Sequence, residues 1–127
     1  MSIARMLGNV RGTAAIEFAM VAPLFFMLLC GIIEGGLLTW TQVGLQHGAQ
    51  AAARCASVNA AICGTSAGIQ SYAVQQAYGL PVASSTFTFS AAAACGNQVT
   101  ANYTFNFFAG YFGMPSLALT AQSCYPK

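Results

Sequence analysis

The chain has 127 residues, of which 5% are charged and 57% hydrophobic, and its formal net charge is +2. Soluble domains carry about 25% charged residues, so much of this chain does not have an ordinary water-facing surface. So small a charge, with no basic cluster beyond the N-terminus, also gives no footing for nucleic acid.

The length suffices for one membrane helix and one small domain. Arg5 and Arg11 come first, and an apolar run follows from Phe18 to Ile33. Glu34 interrupts it, and a milder apolar stretch continues from Gly35 to Trp40. As a helix, residues 14–40 rise roughly 40 Å at 1.5 Å per residue, more than the ~30 Å hydrocarbon core of a bilayer. Basic residues precede the run and none follows until Arg54, so the positive-inside rule puts the N-terminus in the cytoplasm and Trp40 near the outer interface. A secretory signal peptide has a shorter apolar region ending in a small-x-small site, whereas this run opens on Glu17 and meets Ile32-Ile33-Glu34 instead. A plain single-pass anchor explains the length but not Glu17. Pro23 removes a backbone donor inside the run and is expected to kink or loosen it. Small residues recur four apart, at Ala15 and Ala19, Gly31 and Gly35, Gly44 and Gly48, a spacing that lets helix backbones approach closely.

Beyond Trp40 the pattern stays helical. Residues 46–57 are alanine-rich, and alanine is the best helix former, so the membrane helix is expected to run on as a stalk to about Ser57, loosened at Gly44 and Gly48. A second helix is predicted over 66–78, where Ile69, Tyr72, Ala73 and Ala77 share one face. Gly79 ends it and Pro81 follows. Three strands come next, over 86–91, 99–107 and 117–122. Val99, Ala101, Tyr103, Phe105 and Phe107 alternate with Thr100, Asn102, Thr104 and Asn106, so one face of the sheet is apolar and the other polar. The loop 108–115, FAGYFGMP, either folds its aromatics under the sheet or presents a contact surface. The predicted class is α+β: a long N-terminal transmembrane helix continuing as a stalk, and a small C-terminal domain of a short helix and a three-stranded antiparallel sheet.

Cys30 falls in the apolar run and reads as a packing residue. Cys55, Cys63, Cys95 and Cys124 lie beyond it, an even number in an oxidising space. Four cysteines allow three connectivities, among which sequence alone does not choose. An up-down-up meander brings the first turn and the end of the third strand to one end of the sheet, which favours Cys95 with Cys124 and leaves Cys55 with Cys63. No metal is expected: paired C-x2-C spacing is lacking, and the single histidine, His47, sits on the stalk. No catalytic constellation is visible either. Both carboxylates, Glu17 and Glu34, lie in the membrane segment, leaving His47 no acidic partner outside it. There is no phosphate loop. The expectation is a non-enzyme without cofactor.

Arg11 is followed by Gly12-Thr13-Ala14-Ala15-Ile16-Glu17-Phe18. This element resembles the processing site of type IV prepilins and pseudopilins. The wider stretch 12–57, with AAIEFAMVAPLFF, GIIEGG and QHGAQAAARCAS, looks like TadE-type minor pilins of the tight-adherence (Tad, or Flp) pilus. The resemblance covers nearly the first half of the chain; the second half is pilin-like only in layout. It implies cleavage between Gly12 and Thr13 by a prepilin peptidase, with Glu17 and Phe18 serving recognition and assembly. It divides the chain into a cytoplasmic leader 1–12, a transmembrane helix 13–40 and an extracytoplasmic stalk and domain 41–127. The implied partners are other pilin and pseudopilin subunits, the peptidase and the inner-membrane assembly platform, and the implied place is the bacterial inner membrane and the extracellular pilus. An uncleaved periplasmic assembly factor or a tip adhesin is the alternative.

Overall fold

The structure, a computed structural model, describes residues 10–108, 110, 113 and 115–127. Arg5 and most of the expected leader lie outside these residues. The first element is helix α1, Val10–Val58, unbroken over 49 residues. The chain divides into two compact units, the first ending at Gly36 and the second spanning Leu37–Lys127.

In the first unit α1 exposes nearly all its apolar side chains, among them Phe18, Met20, Leu24, Phe25, Met27 and Ile32. The helix is long and apolar enough to cross a membrane, and none of its most apolar window is buried within the protein. Pro23 sits inside the helix without ending it; its missing N–H leaves the carbonyl of Ala19 without its usual helical donor.

In the second unit α1 turns one face inward. Thr41, Leu45, Ala49, Ala52 and Ala53 are buried, at the three- and four-residue steps of a helix face. Two short helices follow. Helix α2, Ala60–Cys63, starts where the Asn59 side chain accepts from the amide of Ile62, and α3, Ser66–Gln75, where Thr65 accepts from Gly68. Helix α2 was not expected from the sequence; a cap and a disulfide hold its four residues, which have no periodicity to read. Helix α3 is shorter than predicted. It stops at Gln75, and a turn follows in which Leu80 N donates to Ala77 O at 3.2 Å, with Tyr78 at φ 54° and Gly79 at φ 72°.

A 3-10 turn, Ser84–Thr86, leads into the strands β1 Phe87–Ala93, β2 Gly96–Phe105 and β3 Leu117–Tyr125. They form one antiparallel meander in the order β1-β2-β3. Val99 pairs with Phe89 on one side and Ser123 on the other, and Ala101 with Phe87 and Ala121. These residues put the apolar face inward: Phe87, Val99, Ala101, Leu119 and Ala121 form one buried cluster with Leu45, Ala49, Ala52 and Ala53 of α1 and Ile69 and Ala73 of α3. The opposite face, with Thr88, Asn102, Thr104, Thr120 and Gln122, is exposed, as the alternation requires.

Gly44 and Gly48 do not break α1; they allow close packing. A β-carbon at Gly44 would lie 2.9 Å from the carbonyl oxygen of Ala77, and one at Gly48 2.7 Å from that of Ala73. The backbone of α1 approaches that of α3 at Gly48 and that of the turn after α3 at Gly44 because no side chain stands between them.

Side chains of the helices also reach the outer strands. Gln42 Nε2 donates to the carbonyl of Thr120 at 2.9 Å and Gln46 Nε2 to that of Gln122 at 3.2 Å. Four residues of helix rise about 6 Å and two residues of strand about 6.8 Å, so the two glutamines meet alternate residues of β3. From α3, Gln70 Nε2 donates to the carbonyl of Phe87 in β1 at 2.8 Å.

Candidate functional site

Two regions carry the residues singled out in the sequence. The first is the start of α1. Gly12, Thr13 and Glu17 are all exposed there and Phe18 is 70% exposed. Thr13 and Glu17 stand four residues apart on the helix, hence on one face. A β-carbon on Gly12 or Gly31 would meet nothing within 4 Å. The segment presents a carboxylate and a continuous apolar surface, an arrangement suited to lipid or to another helix and not to water.

The second region is the α+β unit. Cys55 is bonded to Cys63, and Cys95 to Cys124, the pairing that the meander favours. The first bond ties α2 to α1. The second ties the β1–β2 turn to the end of β3, where Gln98 pairs with Cys124. Cys30 is a free thiol, exposed on α1.

A groove of about 700 Å³ opens on this unit, lined by His47, Arg54, Val58, Ile62, Tyr72 and Tyr125 among others. It draws on α1, α2, α3 and β3, so no local motif announces it. Arg54 is exposed, and the unit contains no Asp or Glu at all. His47 does not depend on a carboxylate. Its Nδ1 lies 2.8 Å from the carbonyl oxygen of Gln76, and since a carbonyl only accepts, Nδ1 carries the proton. The described residues contain no cluster of three or more His, Cys, Asp or Glu side chains able to hold a metal. Phe107, expected at the end of the second strand, lies beyond β2 and packs edge-to-face on Phe105 at 5.2 Å; of the expected aromatic loop, Phe108 is 77% exposed, and residues 109, 111, 112 and 114 lie outside the described set.

Residues 12–54 match the family model described as TadE-like protein. Comparison with curated proteins and with solved structures gave no match. The matched segment opens on Gly12, includes Glu17, Phe18 and Pro23, and closes on Arg54. It stops short of the sheet and of all four disulfide cysteines, the first of which, Cys55, is the next residue.

Proposed function

We propose, from the TadE-like character of residues 12–54, that the protein is a minor pilin or pseudopilin of the Tad pilus and acts as a structural subunit, not an enzyme. A membrane-anchored component associated with that pilus is the coarser statement consistent with the match and with the apolar helix. The finer reading has three parts. The chain inserts with its N-terminus in the cytoplasm, because Arg5 and Arg11 precede the apolar run. A prepilin peptidase cuts between Gly12 and Thr13, removing both arginines and creating an α-amino group. That amine then pairs with Glu17, on the same helix or on a neighbouring subunit, so that two charges are neutralised where water is scarce and the axial register of the helices is set.

The observation that carries this reading is the family match beginning at Gly12, with Thr13 and Glu17 on one exposed face of α1. The test is intact mass of the protein from cells with a working Tad peptidase, joined to filament shearing. A mass lacking residues 1–12, with the protein in the sheared fraction, is expected. Retention of the leader, or retention in the inner membrane alone, overturns it. Glu17→Ala as the sole copy is expected to insert normally but to abolish incorporation or pilus support. Normal assembly would mean that Glu17 only snorkels toward the headgroups.

A further inference from the structure

One surface of the α+β unit remains unexplained by this reading. Trp40 and Tyr78 lie with ring centroids 6.0 Å apart, and Tyr78 stacks on His47 at 4.4 Å with 24° between the planes. Trp40 is 56% exposed and Tyr78 49%, and Leu37 and Val43 beside them on α1 are 54% and 52% exposed. The backbone is bent to place Tyr78 there. Its φ of 54° is left-handed, a conformation that bulky residues avoid, and an outlier of this kind is a pointer to function. The neighbouring Gly79 takes the second left-handed position of the turn without strain.

We infer that Trp40, Tyr78 and His47 form a seat on the lipid headgroup layer, holding the α+β unit down on the outer face of the bilayer. Counting along the sequence, about 20 residues cross the hydrocarbon core; starting from Phe18 they end at Leu37, which puts Trp40 at the interface. Rings with an apolar body and a polar tip are favoured in that layer. Apart from His47, these side chains carry no titratable cation or carboxylate that would oppose it, since the charges of the unit are confined to Arg54 and the C-terminal Lys127. The turn after α3 thus becomes a second membrane contact besides α1. The inference rests on α1 crossing a bilayer and not on cleavage or pilus assembly.

Trp40 is the only tryptophan, so its fluorescence reports one site. The full chain is reconstituted in phosphatidylcholine vesicles containing lipids brominated at a shallow or a deep acyl position, as wild type and as Trp40→Phe/Tyr78→Trp. Flotation with the vesicles reports insertion separately, so failure to span and failure to seat are distinguishable. The expected result is quenching of both tryptophans by shallow bromines more than by deep ones, with protection from aqueous iodide. A residue 78 tryptophan quenched by iodide and indifferent to lipid overturns the seat, and so does one shielded from both, which would mean a second copy covers the patch. Tyr78→Gly, which suits the turn and removes the ring, gives a second reading through Trp40 itself. Shallow-bromine quenching of Trp40 should fall, and an unchanged value overturns the proposal.

Discussion

The ring of Phe87 rests on the bare backbone of Gly48: a β-carbon added there would sit 3.1 Å from Cζ, and 2.7 Å from the carbonyl oxygen of Ala73. The small residues of α1 are thus spent in two ways. Gly31 faces open space, whereas Gly44 and Gly48 are occupied by the chain's own α+β unit.

Gly48→Ala therefore sets two effects against each other. Alanine improves the helix by about 1 kcal/mol, but forcing a methyl against a backbone carbonyl costs about 1–3 kcal/mol. The expected net effect is a loss of up to about 2 kcal/mol, read as a lower unfolding midpoint of the α+β unit by near-ultraviolet circular dichroism. Gly31→Ala should leave that midpoint unchanged.

The two disulfides close loops of different length, with 8 and 29 residues of separation. The chain-entropy relation gives about 2.5 kcal/mol for the shorter and about 3.6 kcal/mol for the longer. Cys95→Ser/Cys124→Ser should accordingly lower stability by about 1 kcal/mol more than Cys55→Ala/Cys63→Ala, by the entropic account alone. Denaturant midpoints of the two double variants decide it. The reverse order would show that packing around the buried Cys55 and Cys63 outweighs loop closure.

Asn97 is 7% exposed and its Nδ2 donates to Ser57 Oγ at 2.9 Å. Ser57→Ala leaves that amide without this acceptor, a loss of about 1–3 kcal/mol. A double-mutant cycle with Asn97→Ala should show coupling, because the second substitution removes the donor that the first has stranded. Strictly additive effects would mean that the bond contributes nothing.

How much of this was legible in the sequence differs by element. The alternation of Val99, Ala101, Tyr103 and Phe105 has the strand period of two and named both the strand and its inner face. The ends of the strands were less legible. Residues 91–94 are four alanines, good helix formers, yet Ala93 pairs with Gly96 across an irregularity in β1. Tertiary pairing overrides local preference there. Likewise β3 runs on to Tyr125 because Asn97 pairs with it, and Asn97 itself is a poor strand former. The left-handed Tyr78 had no signal at all, since tyrosine is among the residues that avoid that region. At the start of α1, Gly12 and Glu17 were readable because a charge near an apolar run is costly and calls for a reason. The groove was not readable, because its lining joins the consecutive helices α1, α2 and α3 to β3, which is distant in sequence.

The glutamines that reach β3 make a further, separable forecast. Each bond is worth about 0.5–1.5 kcal/mol net, so Gln42→Ala/Gln46→Ala should lower stability by about 1–3 kcal/mol. It should also raise self-association, measured by analytical ultracentrifugation in detergent, because two carbonyls of an outer strand lose their partners. A variant that is destabilised yet stays as monodisperse as the wild type would limit the glutamines to a stabilising role.

On the proposed reading as a pilus subunit, the protein must polymerise in only one way. An uncovered strand is itself a polymerising surface, able to add the strand of any neighbour in open-ended succession. Here Gln42 and Gln46 engage the carbonyls of Thr120 and Gln122 on one outer strand, and Gln70 engages that of Phe87 on the other. With those acceptors taken, the sheet is a poor template for its own copies. On that reading repetition is left to the bare apolar length of α1 and does not drift into the cross-strand stacking that ends in insoluble fibre.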